Sequence, residues 1–178
     1  MTLPGDTEPF RLKGFELRQL HMGDKPQMMR MQQEVLAAIA DPSWFFPSEE
    51  WEFEEWLRGR EAFGYFEGDT LAGYAAMAPW HTRGDHGYAR KLGHPEQNTY
   101  DFHDVLVLPR YQGRGMHTRF LKLFEEMARA MDGCAIYATV DPGNSASWHN
   151  FEKAGYELVD TRPAYDGRMR RYYKRTLA

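Results

Sequence analysis

Apolar and polar positions change their period several times along the 178 residues, and each change predicts an element. Phe15 to Leu20 alternates, as a half-buried strand does. Met28, Met31, Val35 and Ile39 recur at helical spacing, the buried face of a helix that begins near Pro26 after a cap at Asp24. A second helix is expected after Ser48, with Ser48 as its cap and Trp51 at the third position. Ala62–Phe66 and Thr70–Ala78 form a hairpin pattern around the turn Glu67-Gly68-Asp69. Trp80 to Gln97 is polar, with Gly84, Gly87, Gly93 and Pro95, and reads as a long connection. Thr99 to Val107 gives a central strand. A helix with Met116, Phe120, Leu123, Phe124, Met127 and Met131 on one face follows it. Ala135–Val140 is the next strand, followed by a short helix ending at Gly155. Glu157–Arg162 and Arg168–Tyr173 close the chain as a hairpin turning at Pro163 to Gly167. Residues 1–12 read as a loose lead-in.

This order predicts one α/β domain over residues 1–178, with a strongly twisted mixed sheet and about four helices. Its organising stretch is Asp104 to Thr118, DVLVLPRYQGRGMHT. A buried strand turns through a glycine-containing loop straight into a helix. The first-turn N–H groups of such a helix are unpaired and all point one way, and the helix dipole adds positive potential. A phosphate or pyrophosphate suits that place. The glycines do not make G-x-G-x-x-G, and the chain has no G-x-x-x-x-G-K-[ST]. The next unit, Ala135–Val140 leading through Asp141-Pro142-Gly143-Asn144 into a helix, repeats the arrangement. Two such units side by side form a crevice for an elongated ligand.

Gln112-Gly113-Arg114-Gly115-Met116-His117 resembles the Q/R-x-x-G-x-G/A acyl-CoA loop of the GCN5-related N-acetyltransferase (GNAT) superfamily, preceded by Val105-Leu106-Val107-Leu108-Pro109. Asn144, Ser147, Phe151, Gly155 and Tyr156 resemble that family's N-x-x-A/S…Y-x-x-x-G-F block, at its spacing. The resemblance is firm from about Asp101 to Val159. It implies a GNAT fold, acetyl-CoA as co-substrate, no metal, and direct acetyl transfer to a primary amine. It also implies roles. The backbone of Gln112 to Thr118 holds the pyrophosphate, and the strand edge Val105, Leu106 and Val107 meets the pantetheine amides. Asn144 and Ser147 take the pantetheine arm, with Phe151 packed beside it. Two departures stand out: His117 replaces a small residue, and Phe151 replaces a tyrosine that in many members protonates the leaving thiolate. Phenylalanine has no proton to give.

An amine must lose a proton to attack a thioester. Asp101, His103 and Asp104, on the central strand, are the candidate bases as a group. Asp41 to Glu61 holds Trp44, Trp51 and Trp56, together with seven acids against two arginines. It reads either as an aromatic and acidic wall for a cationic acceptor or as a solvated face over an aromatic core. The basic stretch Asp160 to Arg175 either meets the adenosine 3′-phosphate or faces water. His81, His86 and His94 have no zinc spacing and read as surface residues.

Composition narrows the partners. A net charge of −4 and a pI of about 6.0 give no reason to expect nucleic acid or an anionic membrane. No apolar run is long enough to span a bilayer, and the single Cys134 is consistent with a cytoplasmic setting. The acceptor remains open among polyamines, aminoglycosides, amino acids and protein N-termini, and exposed aromatics permit a homodimer. Two other readings stand beside the enzyme: a non-catalytic acyl-CoA sensor, which Phe151 favours, and a module for another nucleotide-like anion such as ATP or NAD.

Overall fold

The computed structural model describes residues 1–82, 86–164 and 167–177. Seven strands form one sheet: β1 (Glu16–Gln19), β2 (Ala62–Glu67), β3 (Thr70–Pro79), β4 (Thr99–Val107), β5 (Ala135–Val140), β6 (Glu157–Pro163) and β7 (Met169–Thr176). Their order across the sheet is β1-β2-β3-β4-β5-β7-β6. Every neighbouring pair is antiparallel except β4 and β5. That pair is joined by helix α4 (Met116–Ala130), the kind of crossover that parallel strands need. The other helices are α1 (Lys25–Ala38), α2 (Glu50–Arg58), the single turn α3 (Tyr88–Lys91) and α5 (Ser145–Lys153).

Side-chain alternation on β3 assigns the helices to faces. A side chain at Gly73 would meet Met116 of α4, whereas Tyr74, one residue on, packs its ring against Phe53 of α2. So α1 and α2 cover one face, and α4 and α5 cover the other. Phe124 is completely buried on the second face, between Phe63 (5.9 Å) and Phe102 (5.4 Å). Phe124→Ala is expected to cost about 3–5 kcal/mol, read as a lowered urea midpoint.

Two features of the sheet create the site. First, β4 and β5 pair only from Thr99 to Phe102 and from Ala135 to Ala138. Beyond Phe102 the strands diverge, leaving a gap between Val105–Val107 and Thr139–Val140. Second, β4 carries a bulge. Ala76 pairs with Asp104 and Met77 with Phe102, so His103 is the extra residue. Without it, residues 102 and 104 would share a face. With it, Phe102 points to α4 and α5 while Asp104 turns to α1 and α2.

Several local expectations are corrected. The segment 1–12 is not loose, because Phe10 is buried and its carbonyl accepts the Tyr65 hydroxyl at 2.6 Å. Asp24 begins α1 without capping it through its side chain; instead it holds Arg18 at 2.8 Å and accepts the His21 N–H. Ile39 lies just past the end of α1. The cap of α2 is Glu49, whose N–H donates to Glu52 at 2.9 Å, and not Ser48. The long connection contains α3, and its Gly84 lies outside the described residues, as do Tyr165 and Asp166 of the final turn. Among the described residues no helix is long and apolar enough to cross a membrane.

Candidate active site

A cleft of about 730 Å³ runs through the gap, from the α4/α5 face to the α1/α2 face. Val105, Leu106 and Val107 line it from β4, and Thr139 and Val140 from β5.

At one end lies the glycine loop. Gly113 and Gly115 both have left-handed φ, +76° and +78°, and Gly115 is the residue from which α4 starts. The first-turn amides of α4 therefore open toward the cleft, which Gln112, Gly113, Gly115, Met116, His117 and Thr118 all line. Gln112 donates its side-chain amide to the Val107 carbonyl at 3.2 Å, tying the loop to the end of β4. Arg114 contributes no lining; its guanidinium lies over the rings of Tyr111 and Phe15. From α5 come Asn144, Ser147 and Phe151. Asn144 caps that helix, its side-chain oxygen accepting the Ser147 N–H at 3.2 Å.

At the other end is Asp104, 4% exposed. Its carboxyl accepts hydrogen bonds from the Tyr74 hydroxyl (2.9 Å) and, more weakly, the Ser48 hydroxyl (3.4 Å). Burial pushes its pKa up to about 7; the two hydroxyls pull it down and the nearby charge of Glu52 adds to the rise. The structure places the other two candidate bases differently. Asp101 sits where β4 is still paired with β5, outside the cleft lining, and accepts the Tyr88 N–H at 3.0 Å. His103 lines the cleft but stacks on Trp56, centroids 5.9 Å apart.

Over Asp104 arches the segment between α1 and α2. Trp44, Phe45 and Phe46 face the cleft, Phe46 being 43% exposed. The Ser43 carbonyl accepts from Arg168 at 3.0 Å and Arg170 at 3.5 Å. Arg170, 1% exposed, also pairs with Asp141 at 2.9 Å. A side chain at Gly143 would strike the Trp44 indole, so this segment rests closely on the β5–α5 loop. Of the expected wall, Trp44, Phe45 and Phe46 line the cleft, and none of the acids of Asp41 to Glu61 does, although the charge of Glu52 is felt at Asp104. Glu50 and Glu54 bracket Lys25 at 2.6 and 2.8 Å, Trp51 is exposed, and Phe53 and Trp56 are core.

Near the narrow end of the gap sits His117. Its ring stacks on Phe102 (6.3 Å, 26°) and meets Phe151 edge-on (5.2 Å, 82°). Nδ1 lies 3.1 Å from the Asn150 side-chain amide nitrogen. Nε2 is buried with no hydrogen-bond partner in the protein, and burial pushes the pKa down to about 4. The His117 ring occupies the space that a glycine or alanine would leave at this point in the loop.

The basic C-terminal stretch is engaged with the protein itself. Arg175 pairs with Glu125 at 2.9 Å, Arg162 with Asp160, and Arg171 lies over Trp148. His94 bonds the Tyr137 hydroxyl at 3.1 Å. Among the described residues no cluster of histidine, cysteine and acids could hold a metal ion. Sequence reasoning missed Tyr74, and it gave Ser48 and Arg170 other places, a helix cap and the basic C-terminal stretch. Tyr74 reads as an ordinary core tyrosine, and pairing it with Asp104 requires knowing the register of β3 on β4.

Residues 28–156 match the acetyltransferase (GNAT) family. The N-alpha-acetyltransferase RimI of Mycobacterium tuberculosis is 31% identical over 111 residues, which make up 62% of this chain and 56% of that protein. The chain therefore spans little more than half the length of this curated relative. Among solved structures, the ribosomal-protein-S18-alanine N-acetyltransferase of Escherichia coli superposes with a TM-score of 0.68 at 17% identity, over 92% of this chain and 94% of that one. The Salmonella typhimurium protein yncA, solved with its cofactor acetyl-CoA, gives 0.69 at 18% identity, over 93% and 95%.

Proposed function

The chain belongs to the acetyltransferase (GNAT) family, and from that premise we propose that it transfers an acetyl group from acetyl-CoA to a primary amine by direct attack. The observation that carries the reading is one cleft with an anion-ready helix start at one end and a buried carboxyl of pKa about 7 at the other. In this reading the backbone of Gln112 to Thr118 holds the pyrophosphate. Val105 to Val107, Asn144 and Ser147 meet the pantetheine arm, and Phe151 packs beside it. No metal takes part. The thioester carbonyl lies in the gap, where backbone N–H groups of the unpaired β4 edge help polarise it.

The acceptor enters from the α1/α2 face, past Phe45 and Phe46. Its ammonium is drawn to Asp104, which takes one proton through direct contact or one water; the freed lone pair attacks the carbonyl, the second nitrogen proton passes to water as the C–S bond breaks, and solvent protonates the departing thiolate. A base with a pKa near neutral is well matched to that task. Holding the amine and the thioester in line supplies the rest of the acceleration. The acceptor is a small-molecule amine or a peptide N-terminus, and the free, exposed Cys134 suits a cytoplasmic setting. The competing sensor reading is favoured by Phe151, which lacks the hydroxyl of many relatives.

Release of free thiol from acetyl-CoA, followed with a chromogenic disulfide across polyamines, aminoglycosides, amino acids and N-terminal peptides, decides between them. Amine-dependent release with an acetylated product is the expected result. Tight binding of acetyl-CoA with no turnover on any amine would establish the sensor.

A further inference from the structure

We propose that the acceptor is a monoamine, a single ammonium beside an apolar body of about the size of a phenyl ring, and that Phe46 selects it. This rests on the acetyl-transfer reading above and names its substrate class. Three observations carry it: what lines the acceptor end of the cleft, how charge is distributed there, and how the wall is held.

The lining at this end is apolar. Val35 comes from the last turns of α1, Ala38 and Ile39 from its end, and Phe45 and Phe46 from the segment that follows. Phe46 keeps 43% of its surface open to water. An apolar body laid against it removes that surface from water, and the acceptor's own apolar surface with it.

Charge at this end is sparse. Among the described residues, Asp104 and Asp141 are the only carboxylates that line the cleft. Asp141 is paired with Arg170 at 2.9 Å. Glu52 adds to the potential at Asp104, but its carboxylate accepts the Glu49 N–H at 2.9 Å and it does not line the cleft. One ammonium can therefore be met by a carboxyl here. A second on the same molecule would lose water against methyl groups and phenyl rings, with no carboxylate to meet it. Phenyl rings hold a cation less well than an indole does. The indole on this wall, Trp44, rests its nitrogen edge against Gly143 of the β5–α5 loop.

The wall is held at both ends. The Ser43 carbonyl accepts from Arg168 and Arg170. The Ser48 backbone exchanges hydrogen bonds of 2.8 and 2.9 Å with the Gln32 side chain, and its hydroxyl reaches Asp104 at 3.4 Å. Phe46 is two residues from Ser48, so their Cα atoms are at most about 7 Å apart. An amine that meets Asp104 thus lays its first few carbons along a wall already in place, and little ordering is left to oppose binding.

The test is the rate of thiol release from acetyl-CoA with phenethylamine, ethylamine, spermidine and kanamycin. Phenethylamine is expected to lead the others in kcat/KM by about tenfold or more. Peptides beginning with phenylalanine or with lysine carry the same contrast on a chain end, and phenylalanine should lead. The faster of phenethylamine and the phenylalanine peptide then identifies the source of the apolar amine. F46A should cut the preference for phenethylamine over ethylamine by about tenfold. F46E, which adds a carboxylate to the wall, should move the preference toward spermidine. Phe46 is exposed, and circular dichroism checks that both variants fold. Spermidine or kanamycin equal to phenethylamine or ahead of it, or an unchanged preference in folded F46A, would overturn the assignment and leave the acetyl-transfer reading standing. Thiol release with none of the amines would overturn both.

Discussion

Gly115→Glu is expected to lower the affinity for coenzyme A by more than about 100-fold. Gly115 has φ +78°, where a residue with a Cβ is strained by roughly 1–2 kcal/mol. A Cβ there would also stand 2.7 Å from the Arg119 guanidinium, which would have to move. The larger effect is electrostatic, because a carboxylate would sit at the start of α4 where the pyrophosphate is proposed to bind. Gly113→Ala separates strain from charge. A Cβ at Gly113 meets nothing within 4 Å, so only the left-handed backbone resists it, and a loss below about tenfold is expected. Titration calorimetry on both variants, with circular dichroism to confirm the fold, checks this. Unchanged affinity in Gly115→Glu would remove the loop from the binding site.

The second large effect is at Asp104, and it has opposite signs for activity and stability. Asp104→Asn keeps an acceptor for the Tyr74 hydroxyl but cannot take a proton. A fall in kcat/KM of about 10²- to 10⁴-fold is expected. The wild-type profile of kcat/KM should rise with pH through about 7, and the variant should lose that limb. For stability, the folded pKa lies above the unfolded value of 3.8. Between those values the folded state holds a proton that the unfolded chain has released, so stability falls as pH rises through about 7. An asparagine carries no such penalty. Above pH 7 the variant should melt later than the wild type, by an amount on the order of a few kcal/mol at most. A variant that is inactive but also less stable at pH 8 would mean that Asp104 serves the fold rather than the reaction.

The sequence made the strand–loop–helix units plain because their signals are local. The β-formers before Pro109, the two glycines and the helical spacing after Met116 all lie within one short stretch, and the structure keeps each of them in place. The same locality explains what stayed hidden. Asp101, His103 and Asp104 could not be ranked, because their faces depend on a bulge that exists only in the pairing of β4 with β3. A simple alternation would have placed Asp104 with Phe102, against α5. Ser48 looked like a helix cap, yet its backbone exchanges two hydrogen bonds with the Gln32 side chain and its hydroxyl points to Asp104. That contact is set by how α2 docks, not by residues near it in sequence. From sequence, the acids and aromatics of Asp41 to Glu61 read equally as one acceptor-facing wall or as a solvated face over an aromatic core. Helical geometry instead turns Glu50 and Glu54 to Lys25, while the preceding segment delivers Phe45 and Phe46 to the cleft. Arg170 belongs to the basic stretch that reads from sequence as meeting a phosphate or facing water, and it does neither here, being buried against Asp141 and Ser43.

Isothermal titration of the purified protein with acetyl-CoA, CoA, ATP and NAD tests the central claim most directly. The account predicts micromolar or tighter binding of acetyl-CoA and CoA, with ATP and NAD weaker by at least about tenfold, a difference of 1.4 kcal/mol. Equal or stronger binding of ATP or NAD, or no binding of CoA by the folded protein, would contradict it.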